Sequence, residues 1–158
     1  MRDDTESILA RVRERWVAEG ATPASPAGVA EMAGFEERYG VRLPAEVRAY
    51  FGALNGMAEG WDAELVAWWP LGRVRTVAEE MAGHGSPMPA ASEHFCFADY
   101  SVWALAYAVR LTADPDQPAP VVVVRGMNDH VPAAPSFRDF LAAYLNDPYA
   151  ALHPRSST

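Results

Sequence analysis

Apolar side chains recur at helical spacing over three stretches of the first third of the chain. Residues 5–19 predict a first, partly exposed helix, whose apolar positions are Ile8, Leu9, Val12 and Trp16. Ser25-Pro26 predicts the start of a second helix that ends at Gly40, because proline suits the first helical position and glycine suits the C-terminal cap. Leu43-Pro44 then precedes a third amphipathic helix, which Asn55-Gly56 ends.

After Gly56 the pattern changes to short apolar runs that are bounded by Gly, Pro and Ser, which is typical of β-strands. Residues 64–69 and 94–100 are rich in aromatic side chains, which favours strands. In residues 102–109 the odd positions are large and most of the even positions are alanine, so one face of this strand leaves room for close packing. The four valines at 121–124 predict a central strand that is covered on both faces.

The closing segment predicts the clearest helix of the chain. Ser136 is a suitable N-cap, Asn146-Asp147-Pro148 is a stop, and the apolar stripe between them consists of Phe137, Phe140, Leu141, Tyr144 and Leu145. Helices followed by an antiparallel meander and a last helix indicate an α+β domain, with a sheet of about four to six strands and helices packed on it. We expect an N-terminal helix and linker at 1–24, the domain at 25–148 and a tail at 149–158, with one further short helix between residues 73 and 81.

Length and charge narrow the class of protein. The 158 residues fit one domain, and no apolar stretch approaches the length of about 20 residues that a membrane span needs. Thirteen basic residues, all arginine, face 21 acidic ones, for a net charge of −8. A chain with this net charge repels nucleic acid and anionic lipid. We therefore expect either a basic partner or no charged partner. The acidic N-terminus and the single Cys96 predict a cytoplasmic protein.

Candidate catalytic and metal-binding residues are few and scattered. His94 and Cys96 could share a face of a strand and a metal ion, but no further pair at ligand spacing completes a zinc site. Ser86, Ser101 and Cys96 are candidate nucleophiles, and none of them lies in a nucleophile elbow. Without lysine there is no phosphate-binding loop of the Walker type. We therefore predict no enzyme, no metal ion and no cofactor.

The loops around the sheet supply a candidate binding surface. Trp68 and Trp69 are adjacent, so on a strand they point to opposite faces, and one of them must be covered by a helix or remain available as an interface anchor. The acidic residues of this region do not follow helical spacing. We expect an aromatic anchor ringed by negative charge, made of Asp62, Glu64, Trp68, Glu93, Asp99, Tyr100, Asp114 and Asp116.

Three short motifs in a fixed order resemble the signature of the SMI1/KNR4 family, also called the SUKH superfamily. They are Glu36-x-x-x-Gly40, Leu43-Pro44 and Asn55-Gly56, and the later segments 69–71, 97–99 and 136–141 also fit. The resemblance covers about residues 25–146. It implies an α+β binding domain without catalytic residues, and many bacterial members are immunity proteins that neutralise toxins of competing bacteria.

The resemblance leaves two functions open. The first is neutralisation of a cognate toxin, with nucleases among the candidates because their basic substrate-binding surfaces suit an acidic protein. The alternative is a regulatory domain that binds a self protein or a small ligand.

Overall fold

The computed structural model describes residues 2–83, 88–126 and 129–155, and it is an α+β protein. The helices in these residues are α1 (Arg2–Ala18), α2 (Val29–Tyr39), α3 (Ala45–Ala53), α4 (Val77–Glu80), α5 (Phe137–Asn146) and α6 (Pro148–Leu152). The strands are β1 (Thr22–Pro23), β2 (Met57–Glu59), β3 (Val66–Trp68), β4 (Arg75–Thr76), β5 (His94–Tyr100), β6 (Leu105–Arg110), β7 (Val121–Gly126) and β8 (Asp129–Ala134). None of these helices is long and apolar enough to cross a membrane.

Six of the strands form one antiparallel sheet in the order β3-β5-β6-β7-β8, with β4 also paired to β5. The predicted class and strand number are therefore confirmed. β1 and β2 pair separately. The valine run of β7 is buried and central, as predicted, whereas β8 was not predicted, because its sequence contains proline and alanine and has no β-branched alternation.

The strands β5, β6 and β7 of the sheet are buried on both faces, whereas most of the edge strand β8 is exposed or half-buried. On one face α5 packs its aromatic stripe, so that Phe140 meets Trp68, Phe97 and Tyr107. On the other face the alanines of β6, Ala106 and Ala108, are fully buried. The predicted alternation of large and small side chains therefore does place two different surfaces on the two faces of β6.

The first helix, α1, and the last, α6, both contribute to this core. Trp16 of α1 is fully buried, and its indole Nε1 donates to the Tyr144 hydroxyl at 3.2 Å. The expected tail does not begin at residue 149, because Asp147 caps a further helix, α6, with proline at its first position. The hydroxyl of Tyr107 donates to the carbonyl of Leu152 at 3.0 Å, which holds α6 against the sheet.

The motif residues build the corner between α2 and α3. Gly40 has φ 66°, a left-handed conformation that suits glycine, and ends α2 as predicted. The Glu36 carboxylate accepts from the backbone N–H of Leu43 at 2.7 Å and pairs with the Arg48 guanidinium at 2.7 Å. Glu36, Leu43 and Arg48 thus provide one another's hydrogen-bond partners. Their structural role is enough to explain the spacing of the motif.

Residues 24–27 run beside the end of α3 instead of starting α2. The predicted helix start at Ser25-Pro26 is wrong, because the Ser25 carbonyl accepts from Asn55 Nδ2 at 2.8 Å and the Ala27 N–H donates to the Phe51 carbonyl. Gly28 is the N-cap of α2, without a side-chain hydrogen bond. The tertiary contacts of this segment override its local helix signal.

Leu43→Ala is expected to lower the free energy of unfolding by about 3 kcal/mol, because the side chain is buried between helices and its removal leaves a cavity. Urea denaturation measures the change. Leu65→Ala is the matched control: it removes the same atoms from an exposed position and should shift stability by less than about 0.5 kcal/mol. Equal effects of the two variants would contradict the packing of the corner.

Candidate protein-binding surface

A buried carboxylate fixes the loop between β2 and β3. Asp62 is only 2% exposed, and its Oδ1 accepts from the backbone N–H groups of Glu64 and Val66, both at 2.9 Å. Its Oδ2 accepts from the Trp68 indole at 3.1 Å and from the Tyr144 hydroxyl at 2.5 Å. Burial, and secondly the nearby Asp62 charge, raises the pKa of Tyr144. Its hydroxyl therefore stays protonated and acts as a donor. Three of these hydrogen bonds thus tie the loop to β3 and α5, and the fourth, from Glu64, lies within the loop.

The loop that Asp62 holds presents two large apolar side chains to solvent. Trp61 is 53% exposed and Leu65 is 48% exposed. The backbone of Leu65 is left-handed, with φ 67°, and the hydrogen bonds of Asp62 to its two neighbours hold it there. A large aromatic side chain on a loop whose backbone is held by hydrogen bonds is the kind of group that anchors protein interfaces.

The turn between β5 and β6 lies beside this loop, since the Leu65 carbonyl accepts from the Ser101 N–H at 2.9 Å. Three consecutive residues of the turn, Ser101, Val102 and Trp103, have φ of 48°, 55° and 66°. The strand predicted to start at residue 102 therefore begins only at Leu105, after a left-handed turn. Left-handed backbone costs about 1 to 2 kcal/mol for each residue other than glycine, and a β-branched residue suits it least.

Interactions on either side hold the turn in this conformation. Asp99 Oδ1 accepts from the Trp103 N–H at 3.1 Å, and the Trp103 indole donates to Glu80 Oε1 at 2.9 Å. The Trp103 side chain is therefore turned towards α4, whereas Val102 points outward with 82% of its surface exposed.

Three carboxylates belong to the Trp61 loop and its immediate neighbours. Glu19 Oε1 accepts from the Ala63 N–H at 2.9 Å, Glu59 lies two residues before Trp61, and Glu64 precedes Leu65. In the part of the chain that the structure describes, no ion pair involves any of the three. We define the anchor surface by its apolar and acidic members, which are Trp61, Leu65, Glu19, Glu59 and Glu64.

Three of the predicted binding residues lie in the interior. Asp62 and Asp99 are buried because each accepts hydrogen bonds from an indole and from the backbone, and Trp68 packs between α1, α5 and β5. Trp69 is also buried, with the Arg73 guanidinium 3.9 Å from its ring centre. The prediction that these carboxylates and one of the two tryptophans are exposed is therefore wrong.

The remaining predicted residues lie at opposite ends of β5. Glu93 and Arg110 form an ion pair at 2.8 Å beside the start of the strand, and Asp114 and Asp116 lie in the exposed loop that follows β6. Tyr100 ends the same strand about 20 Å away, on the side of Glu64, and packs against His153. The predicted single ring of acids is wrong in its geometry, because the sheet separates its members.

Among the candidate catalytic residues that the structure describes, Ser101 follows the last residue of β5, whereas His94 and Cys96 lie at the start of this strand. Burial raises the pKa of the Cys96 thiol to about 12, and burial lowers the pKa of His94, whose Nδ1 lies 2.9 Å from the Ala90 carbonyl. Ser86 lies outside the described residues. Among the residues that are described, no three His, Cys, Asp or Glu side chains are grouped as metal ligands.

Glu64 of the anchor surface was predicted, but its apolar members Trp61 and Leu65 were missed. Burial decides which tryptophan faces solvent, and the sequence pattern does not state burial. A faint signal exists, since Trp61 follows Gly60 in a turn-like segment outside the strands. For Val102 no sequence signal points to a left-handed backbone.

No protein-family model and no curated protein sequence matches the chain. The SMI1/KNR4 resemblance therefore stays a prediction that rests on the motif residues of the α2–α3 corner.

Proposed function

We propose that this chain is a non-catalytic protein-binding domain of the SMI1/KNR4 type, which neutralises a bacterial toxin by direct contact through the anchor surface. The observation that carries the proposal is Trp61, a half-exposed tryptophan on a loop that a buried carboxylate holds rigid. Because the loop backbone is already held in place, it loses little conformational freedom on binding, which favours affinity.

Charge supports a basic partner. The anchor surface contributes three carboxylates without an ion pair in the described residues, within a chain of net charge −8. Lys or Arg side chains of a partner would form ion pairs with these carboxylates and accelerate association. Toxin domains that act on nucleic acid carry such basic surfaces, which is why we favour them over uncharged partners.

Trp61→Ala is expected to weaken binding of the toxin domain encoded in an adjacent reading frame by about 30-fold or more, because a central aromatic anchor contributes at least about 2 kcal/mol. Calorimetry measures the affinity, and growth of cells that express the toxin domain measures protection. Val29→Ala, which shortens an exposed side chain on α2, serves as the control and should leave both unchanged. Full protection by Trp61→Ala would place the contact elsewhere.

The acidic members are tested separately through the association rate. The double variant Glu59→Gln/Glu64→Gln should slow association several-fold at low salt and abolish most of its salt dependence, because charges are screened over about 8 Å at 0.15 M. Asp114→Asn/Asp116→Asn, which removes the same charge at the other end of the sheet, should change the rate little. If only the second pair slows association, the partner binds at the opposite end.

A regulatory role is the alternative outcome. In that case the adjacent toxin domain does not bind the wild-type chain, and cells that express it are not protected.

A further inference from the structure

The left-handed turn at residues 101–103 is built against the preference of its own sequence. Glycine and asparagine are the residues that enter this conformation easily, and the chain uses Gly20, Gly40 and Asn55 in that way elsewhere. At the turn it has Ser101, Val102 and Trp103 instead.

Packing explains the outer two residues of the turn but not the middle one. The Ser101 N–H bonds the Leu65 carbonyl, and the Trp103 side chain bonds Glu80. Val102 is 82% exposed, so its side chain gains almost no burial within the fold, and a valine is among the residues least suited to its backbone angle. The backbone hydrogen bonds of Ser101, Trp103 and Ala104 hold the turn, but glycine or asparagine at position 102 would leave all of them in place. Among the described residues the Val102 side chain thus gains little that offsets the cost of its backbone angle, which points to a benefit outside the domain.

We infer that Val102 is a second binding contact, which inserts into an apolar pocket on the partner protein, with a Lys or Arg side chain at the edge of that pocket. The inference rests on the proposed function only in requiring a protein partner. The charge of the pocket edge follows from Glu64, which precedes Leu65 and has no ion pair among the described residues, while the Leu65 carbonyl holds the turn. Leu65, which is 48% exposed and whose carbonyl is bonded to the turn, adds apolar area next to it.

Asp99 and Glu80 are positioning residues for this contact. Asp99 Oδ1 accepts from the Trp103 N–H, and Glu80 Oε1 accepts from the Trp103 indole. These two carboxylate oxygens therefore hold the turn and are already occupied by hydrogen bonds within the domain. The partner therefore meets a preformed protrusion, which lowers the entropy lost on binding.

The inference predicts opposite effects on stability and on binding. Val102→Asn and Val102→Gly should raise the melting temperature by about 2 to 4 °C, because both residues suit the left-handed region better. The same variants should weaken binding of the partner about 10- to 100-fold, the value of burying one valine side chain. Val29→Asn, at an equally exposed valine with ordinary helical backbone, should change neither quantity in this way.

The partner is found by photo-crosslinking with the full chain, carrying p-benzoylphenylalanine in place of Val102 or, as the control, Val29, in the cells that encode it. A single protein crosslinked from position 102 alone, and bound more weakly by purified Val102→Asn than by wild type, supports the inference. The inference is overturned by a crosslink to a second copy of this chain, by equal crosslinking from both positions, by no crosslink, or by unchanged affinity of Val102→Asn.

These outcomes separate the two proposals. If the crosslinked protein is bound through Val102 and is not a toxin, the toxin assignment fails and the binding contact stands. If a toxin domain binds wild type and Val102→Asn equally, the proposed function stands and the inference about Val102 fails.

Discussion

Asp62→Ala is expected to lower the free energy of unfolding by about 4 kcal/mol or more. The substitution leaves four donors without their acceptor: two backbone N–H groups, the Trp68 indole and the Tyr144 hydroxyl. Each unsatisfied buried donor costs about 1 to 3 kcal/mol, and a domain is stable by only about 5 to 15 kcal/mol. Urea denaturation, followed by tryptophan fluorescence, measures the loss.

Asp114→Ala is the control for the Asp62 prediction. Asp114 Oδ1 accepts from one backbone N–H, that of Asp116, in an exposed loop where water can replace it. Its removal should cost less than about 1 kcal/mol. Similar losses for the two aspartates would mean that the Asp62 network contributes little. Because Asp62 also holds Trp61 in place, Asp62→Asn is expected to weaken partner binding even where the protein remains folded.

Gly56→Ala is expected to destabilise the protein by about 3 to 5 kcal/mol through two effects that add. Gly56 has φ 68°, which costs alanine about 1 to 2 kcal/mol. A Cβ atom at this position would also lie 2.5 Å from the carbonyl carbon and oxygen of Trp69, which are backbone atoms and cannot move without shifting the chain after β3. Thermal and urea unfolding should both report the loss.

Gly60→Ala separates the two effects at Gly56. Gly60 has φ 84°, and a Cβ atom there meets no atom within 4 Å. Its substitution therefore tests the backbone strain alone, with an expected cost of about 1 to 2 kcal/mol. If Gly56→Ala costs no more than Gly60→Ala, the close approach of residue 56 to Trp69 is wrong.

The Asn55-Gly56 pair has a structural role that accounts for its place in the motif. The Asn55 amide donates to the Ser25 carbonyl and its Oδ1 accepts from the Leu71 N–H, both within 2.8 Å, so one side chain joins three segments. Together with Glu36 and Gly40, the pair fixes the helical corner on the sheet. The residues that carry the family resemblance therefore support the fold, and the residues proposed for binding lie elsewhere.

The sequence alone determined the parts of the fold that depend on local pattern. The apolar stripe at Phe137, Phe140 and Tyr144 fixed both the existence of α5 and the face that it buries, because helical periodicity is a property of neighbouring residues. The glycine at position 40 likewise marked the end of α2. Alternation in β6 correctly predicted one bulky and one small face.

The tertiary structure alone decided which polar and aromatic side chains reach solvent. Asp62 and Asp114 are both loop aspartates in the sequence, yet the first lies beneath Trp68 and Tyr144 and the second faces water. Trp61 and Trp68 are only seven residues apart, yet the first is half-exposed and the second is buried. Burial depends on contacts between residues distant in the chain, whereas local pattern records only what neighbours prefer. For that reason the anchor surface could be located only in the folded protein.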